Sequence, residues 1–338
     1  MASIHWQLVF LEETNFYSSK IFFELFKSKN YDRNELIDHF YNPRYGSTLF
    51  PIKYYINFLN TEGFVYGGMD IIRHSYLENM LCSELNCFIS NEKILNKYCE
   101  LFQLYFPWVN KREYSDFKKY SIVLLGILDD IKVDSDDFLK RAINSNLVLA
   151  KQIKKGTLSE LIKSSDRDKE MAKNLMYYIK KYPDKKIVIS TSTYHITKSQ
   201  SKKNITMVDF LPDSIKDRGI IIPIIYYKGT IGVKNLFNDA LNFERNILRS
   251  NQSLENYLFE LDSNNIKYYN LKELYQGNKN NLETRNIESM NILYSRASIL
   301  NIFHGVIFVP EMMPVIIREN NEHKHKQLDK ILRNFKCN

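Results

Sequence analysis

Histidine and carboxylate side chains stand where two short apolar runs end. His195 follows five residues after Ser190, just past the branched run from Lys186 to Ile189, and Glu12-Glu13 close the run from Gln7 to Leu11. A histidine has an unperturbed pKa of about 6.5 and can take a proton from water near neutral pH when a carboxylate orients it. These residues therefore point to general acid–base chemistry at the carboxyl ends of strands, where open α/β sheets gather their reacting groups. A packed or ligand-binding histidine is the other reading of the same spacing. Ser190, Ser192 and Thr193 offer hydroxyls, but no G-x-S-x-G elbow surrounds them. There is no P-loop, no dinucleotide glycine fingerprint and no H-E-x-x-H. Cys82, Cys87, Cys99 and Cys337 lack zinc-site spacing and read as reduced thiols. No metal and no cofactor is expected.

The elements that must hold these groups follow from periodicity. Met171, Leu175, Tyr178, Ile179 and Tyr182 recur at three- and four-residue steps, which predicts a helix after Asp166. Asp166 suits the N-cap, Asp168 and Glu170 put negative charge in the first turn, and Pro183 stops the helix. The strand at Lys186–Ile189 follows, and then a polar loop carrying His195. Upstream, Gln7–Leu11 reads as a buried strand and Ser18–Phe26 as a helix. Pro51 opens a second helix with Ile52, Tyr55, Ile56 and Leu59 on its buried stripe. Phe64–Tyr66 then predicts a strand with Gly67-Gly68 as its exit and Asp70 near the same sheet edge. Asp70 either serves a site there or caps the next helix. Residues 71–161 are helical throughout, their aromatics (Tyr105, Phe106, Trp108) read as core. Gly219–Tyr227 is a strand with Ile220, Ile221, Ile222, Ile224 and Ile225 as its core, although Pro223 favours an edge or a bulge. Asn235–Glu260 reads as loop and helix, Lys267–Leu271 as a short strand and Phe303–Glu311 as a last strand. His304 precedes that strand and is read as structural; His323 and His325 fall in a charged, solvated tail.

Several of these segments carry a resemblance. R-D-x-x-M-A-x-N-L from Arg167 to Leu175, and I-V-x-x-x-x-x-x-H-I-x-K from Ile187 to Lys198, resemble the corresponding stretch of the erythromycin esterase family. That family's strand ends in W-A-H-N-x-H. This chain has Ser190, Thr191, Ser192, Thr193, Tyr194 and His195 there, keeping the final histidine. L-E-x-x-x-F from Leu11 to Phe16 resembles the family's second strand, which ends in a glutamate of the active site. Glu12 or Glu13 stands at that place, with Glu13 preferred; a helix-capping or exposed carboxylate is the alternative. Tyr41–Asp70 and Phe303–Glu311 resemble further family segments.

The resemblance implies hydrolysis of an ester, lactone or peptide-derived natural product in a metal-free cleft. His195 would be the base and Glu13 its orienter, with Asp70 beside them. Arg44 or Arg167 would support the oxyanion, and Tyr45, Arg167, Ser192 and Tyr194 would touch substrate. Arg167 has a second reading, as a structural ion-pair partner. The family's G-E-x-x-H-G motif does not occur, and His5 lies at the wrong end of its strand to replace it. Two expectations follow: a shortened, degenerate member that binds a ligand or partner, or a site completed by a second protein subunit.

The expected fold is α/β, a mostly parallel sheet flanked by helices. Residues 1–70 and 165–315 form its core, 71–164 a helical insertion capping the cleft, and 316–338 a charged tail. With 338 residues, 44% hydrophobic, and only 11 Gly and 8 Pro, the chain can bury a large core without long flexible linkers. No run approaches the ~20 apolar residues of a membrane span, and no secretory signal is evident. A cytoplasmic protein is expected, with no membrane partner. The net charge of +8 is spread along the chain rather than concentrated, which argues against nucleic acid.

Overall fold

Two sets of branched apolar strands organise the chain. The computed structural model describes residues 8–15, 65–70, 165–191, 193–196, 205–234, 241–277, 285–288, 299–300 and 303–312, with isolated helical positions between 138 and 148. The helices expected at 18–26 and 51–59, most of the 71–164 insertion and the 316–338 tail lie outside the described residues. The chain divides into two compact units. One comprises Met1–Ser192, Ser201–Phe210 and Ile317–Asn338; the other comprises Thr193–Gln200 and Leu211–Ile316.

In the first unit, β1 (Leu8–Asn15) lies between β2 (Val65–Asp70) and β3 (Ile187–Ser190), and all three run parallel. Leu11 is level with Gly68 on one side and Ser190 on the other; beyond it the β1–β2 register shifts, so that Asn15 meets Asp70. The strand at β2 runs through the glycine pair expected to be its exit. Glycine is disfavoured inside strands, but Gly67 and Gly68 are held by pairing with Phe10 and Leu11. Helix α1 (Ser165–Lys181) packs on β2. It begins at Ser165, so Asp166 lies in the first turn rather than at the cap. Met69 of β2 and Met171, Ala172, Leu175 and Tyr178 of α1 are all buried. Burying a side chain such as Leu175 contributes about 1.5–3 kcal/mol.

The second unit starts with α2 (Thr193–Ile196), a single turn where a loop was expected. Then come α3 (Asp213–Lys216), β4 (Ile224–Lys234), β5 (Leu241–Leu248), α4 (Leu254–Leu261), β6 (Lys267–Asn270), α5 (Leu271–Gly277) and β7 (Gly305–Met312). The sheet order is β5-β4-β7-β6, with β4 and β7 parallel and both outer pairs antiparallel. The fold is thus α/β, with a parallel sheet in one unit and a mixed sheet in the other. Ile225, Val306 and Phe308 point into a core shared with Leu254 and Leu258 of α4 and Leu271 of α5.

Pro223 stands just before β4, and its carbonyl accepts from the Ile307 amide at 2.9 Å, so the strand loses no donor to proline. The isoleucine run is not uniformly core: Ile220, Ile222 and Ile224 are 68%, 38% and 61% exposed, while Ile225 is 0% exposed. Ile220 and Ile222 precede the strand, whereas alternation sends Ile224 and Ile225 to opposite faces of β4, one of which α4 packs against. β5 occupies part of the segment read as loop; Leu241, Phe243 and Ile247 alternate as a strand requires.

Candidate functional site

The carboxyl edge of the parallel sheet is built from the last residues of β2 and β1. Asp70 ends β2, and its side chain is fully buried. Arg167, in the first turn of α1, approaches it fork to fork: Nε donates to Oδ1 at 3.0 Å and Nη2 to Oδ2 at 2.6 Å. Paired N–H groups match the two carboxylate oxygens, and this arrangement fixes orientation as well as distance. Two turns further along α1, Asn174 donates from Nδ2 to the Met69 carbonyl at 2.9 Å. Its Oδ1 accepts from Arg141 Nε at 2.6 Å and Ser145 Oγ at 3.1 Å.

Glu170 lies on the same helix face and forms ion pairs with Arg141 and Lys173. Burial lowers the Arg141 guanidinium to about 10, which leaves it cationic at neutral pH. Asp168 accepts from the Met207 amide at 3.0 Å, tying α1 to the 3-10 turn at Met207–Phe210.

This geometry adds to the reading of α1. Asp168 stands in the first turn as expected and Glu170 just beyond it, and both are 1% exposed, so these charges are buried and hydrogen-bonded. Arg167, Glu170 and Asn174 recur at three- and four-residue steps along the buried face. Charges that keep the spacing of the apolar stripe were the available signal.

Of the residues singled out from sequence, Asp70 and Arg167 are in direct contact. Glu13 lies on the adjacent strand β1, between Leu11 and Asn15, beyond the last β3 residue paired to that strand. β1 and β3 are neighbours in the parallel sheet. His195 sits on α2 in the second unit and is 3% exposed. The backbone of Tyr194 is helical. Arg44, Tyr45, Ser192 and the side chains of Glu13 and Tyr194 lie outside the described residues. Among the described residues no group of three His, Cys, Asp or Glu could hold a metal ion. No helix among them is long and apolar enough to cross a membrane.

No protein-family model and no curated protein sequence matches the chain. Solved structures do share its fold. A Bacillus cereus protein of known crystal structure aligns over 93% of this chain and 83% of its own, with a TM-score of 0.60 and 14% identity. A succinoglycan biosynthesis protein aligns over 94% and 82%, with a TM-score of 0.61 and 11% identity. An erythromycin esterase mutant (EreC), in its open conformation, aligns over 93% and 85%, with a TM-score of 0.56 and 12% identity. At these identities the likeness is one of fold. The chain is an α/β protein with an erythromycin esterase-like fold.

Proposed function

We propose that this protein is an erythromycin esterase-like hydrolase acting on an ester, lactone or peptide-derived natural product in the cytoplasm. The observation that carries the reading is the strand order β2-β1-β3, all parallel. It supports a strand-end site in that sheet: β1, which carries Glu13, pairs with β2, which ends in Asp70, and with β3. The expected helical cap over 71–164 belongs to this reading. In it, His195 takes the proton from the attacking water and Glu13 orients the imidazole. Arg44 supports the oxyanion, and Tyr45, Ser192 and Tyr194 line the substrate side. Asp70 and Arg167 contribute as a pair at the end of β2. A general base of this kind contributes about 10²–10⁴ in rate.

A second reading is a binding or partner subunit that keeps the scaffold without the chemistry. It is favoured by the scaffold bonds that Arg167, Asp168 and Asn174 make within the segment that resembles the family.

The test is hydrolysis of p-nitrophenyl butyrate and of erythromycin by wild type, His195→Gln and Glu13→Gln, with thermal melts to confirm folding. The hydrolase reading expects activity to fall ~10²–10⁴-fold in His195→Gln and the acid limb of the pH–rate profile to vanish with it. Activity indifferent to His195 rejects that residue as base. A folded wild type without activity on either probe supports the binding reading, as would co-purification with a second subunit.

A further inference from the structure

We infer that Arg167 and Asn174 are positioning residues: together they anchor Met69 and Asp70, the last two residues of β2, and so set where the carboxyl edge of the parallel sheet stands. The inference rests on the hydrolytic reading of that edge and replaces a substrate contact by Arg167 with a role through Asp70.

Asn174 is 0% exposed and cannot reach a substrate. Its amide donates to the Met69 carbonyl at 2.9 Å, while Arg141 and Ser145 hold the amide oxygen and fix which way the group faces. One residue on, Arg167 takes both oxygens of a fully buried Asp70. The two anchors come from one face of a 17-residue helix, a rigid lever compared with a loop. Asp70 is paired with Asn15, two residues beyond Glu13. A shift at the end of β2 is therefore passed to the end of β1.

Energetics favour the same view. A buried ion pair is often replaceable by apolar groups without loss of stability, so its value here lies in orientation. Lysine at 167 keeps the charge but cannot fork, and aspartate at 174 keeps the acceptor but loses the donor to Met69.

Arg167→Lys and Asn174→Asp separate the possibilities. With p-nitrophenyl butyrate, kcat should fall ~10- to 100-fold in each, because small misplacements of reacting groups are costly, while KM stays within about twofold. A raised KM with unchanged kcat in Arg167→Lys makes Arg167 a substrate contact and overturns the proposal. A readout independent of activity accompanies the kinetics. Amide exchange at Asp70 and Asn15 should quicken at least ~10-fold in both variants, with Leu8 and Val65, at the other end of the same strands, unchanged. Unchanged exchange at Asp70 and Asn15, or uniform loss of protection along both strands, also overturns it. If wild type hydrolyses neither probe but the exchange pattern appears, the hydrolytic reading falls and the anchoring of β2 stands.

Discussion

Arg141 and Glu170 show how opposite charges are kept beneath a helix. Glu170 is nearly inaccessible, and Lys173, its second partner at 3.2 Å, is half exposed. Removing the guanidinium alone strands a buried carboxylate. Arg141→Met should therefore cost about 3 kcal/mol, the low end for a broken buried pair because Lys173 remains. Arg141→Met with Glu170→Met should recover much of that loss in urea melts.

Tyr269 presents the opposite case. Among the described residues its buried hydroxyl has no hydrogen-bond partner. Burial first, and then the charge of Asp262, raise its pKa above the ordinary tyrosine value. The folded state thus favours the neutral phenol. The contribution is fully present below the unfolded value of about 10 and is lost as pH rises through the folded one. Tyr269→Phe should be neutral or slightly stabilising at pH ~7. Above pH ~10 it should lose less stability than wild type in parallel urea melts. At this scale His195 stood out by type and spacing, and Asp70 and Arg167 through the segments that resemble the family. That Asp70 and Arg167 are partners could not be read from residues 97 positions apart.

Elements were legible where a period was long and uninterrupted. α1 carries its apolar residues at helical spacing from Met171 to Ile179 and ends before Pro183, so its extent was clear. Short strands were less so, because tertiary pairing decides whether glycine is an exit or an interior residue, as at Gly67 and Gly68. The isoleucines around Pro223 give a direct check of alternation. Ile225→Ala should cost about 2–5 kcal/mol, whereas Ile224→Thr should stay within about 0.5 kcal/mol; equal losses in urea would contradict the observed faces. Gly305 makes a related point. A Cβ there would meet the Tyr268 ring, but Tyr268 is 50% exposed and can swing away. Gly305→Ala should therefore unfold within a few degrees of wild type, and Gly305→Ala with Tyr268→Ala closer still.

For the whole molecule, a net charge of +8 without a concentrated patch in the sequence implies electrostatic attraction that is diffuse and salt-sensitive. Any DNA association seen by fluorescence anisotropy at ~50 mM salt should disappear by ~200 mM; survival at the higher salt would reveal an organised binding face. Among the described residues the α/β class and the places of α1, β1, β3, β6 and β7 were legible in the sequence, because hydrophobic period and helix-stopping residues act locally. β5 and the short helices α2, α3 and α5 were not. The strand order β2-β1-β3, the mixed second sheet and the assignment of His195 to a different compact unit from Asp70 were decided only by tertiary structure. Those features depend on which distant backbones share hydrogen bonds, and one-dimensional spacing carries no record of that choice.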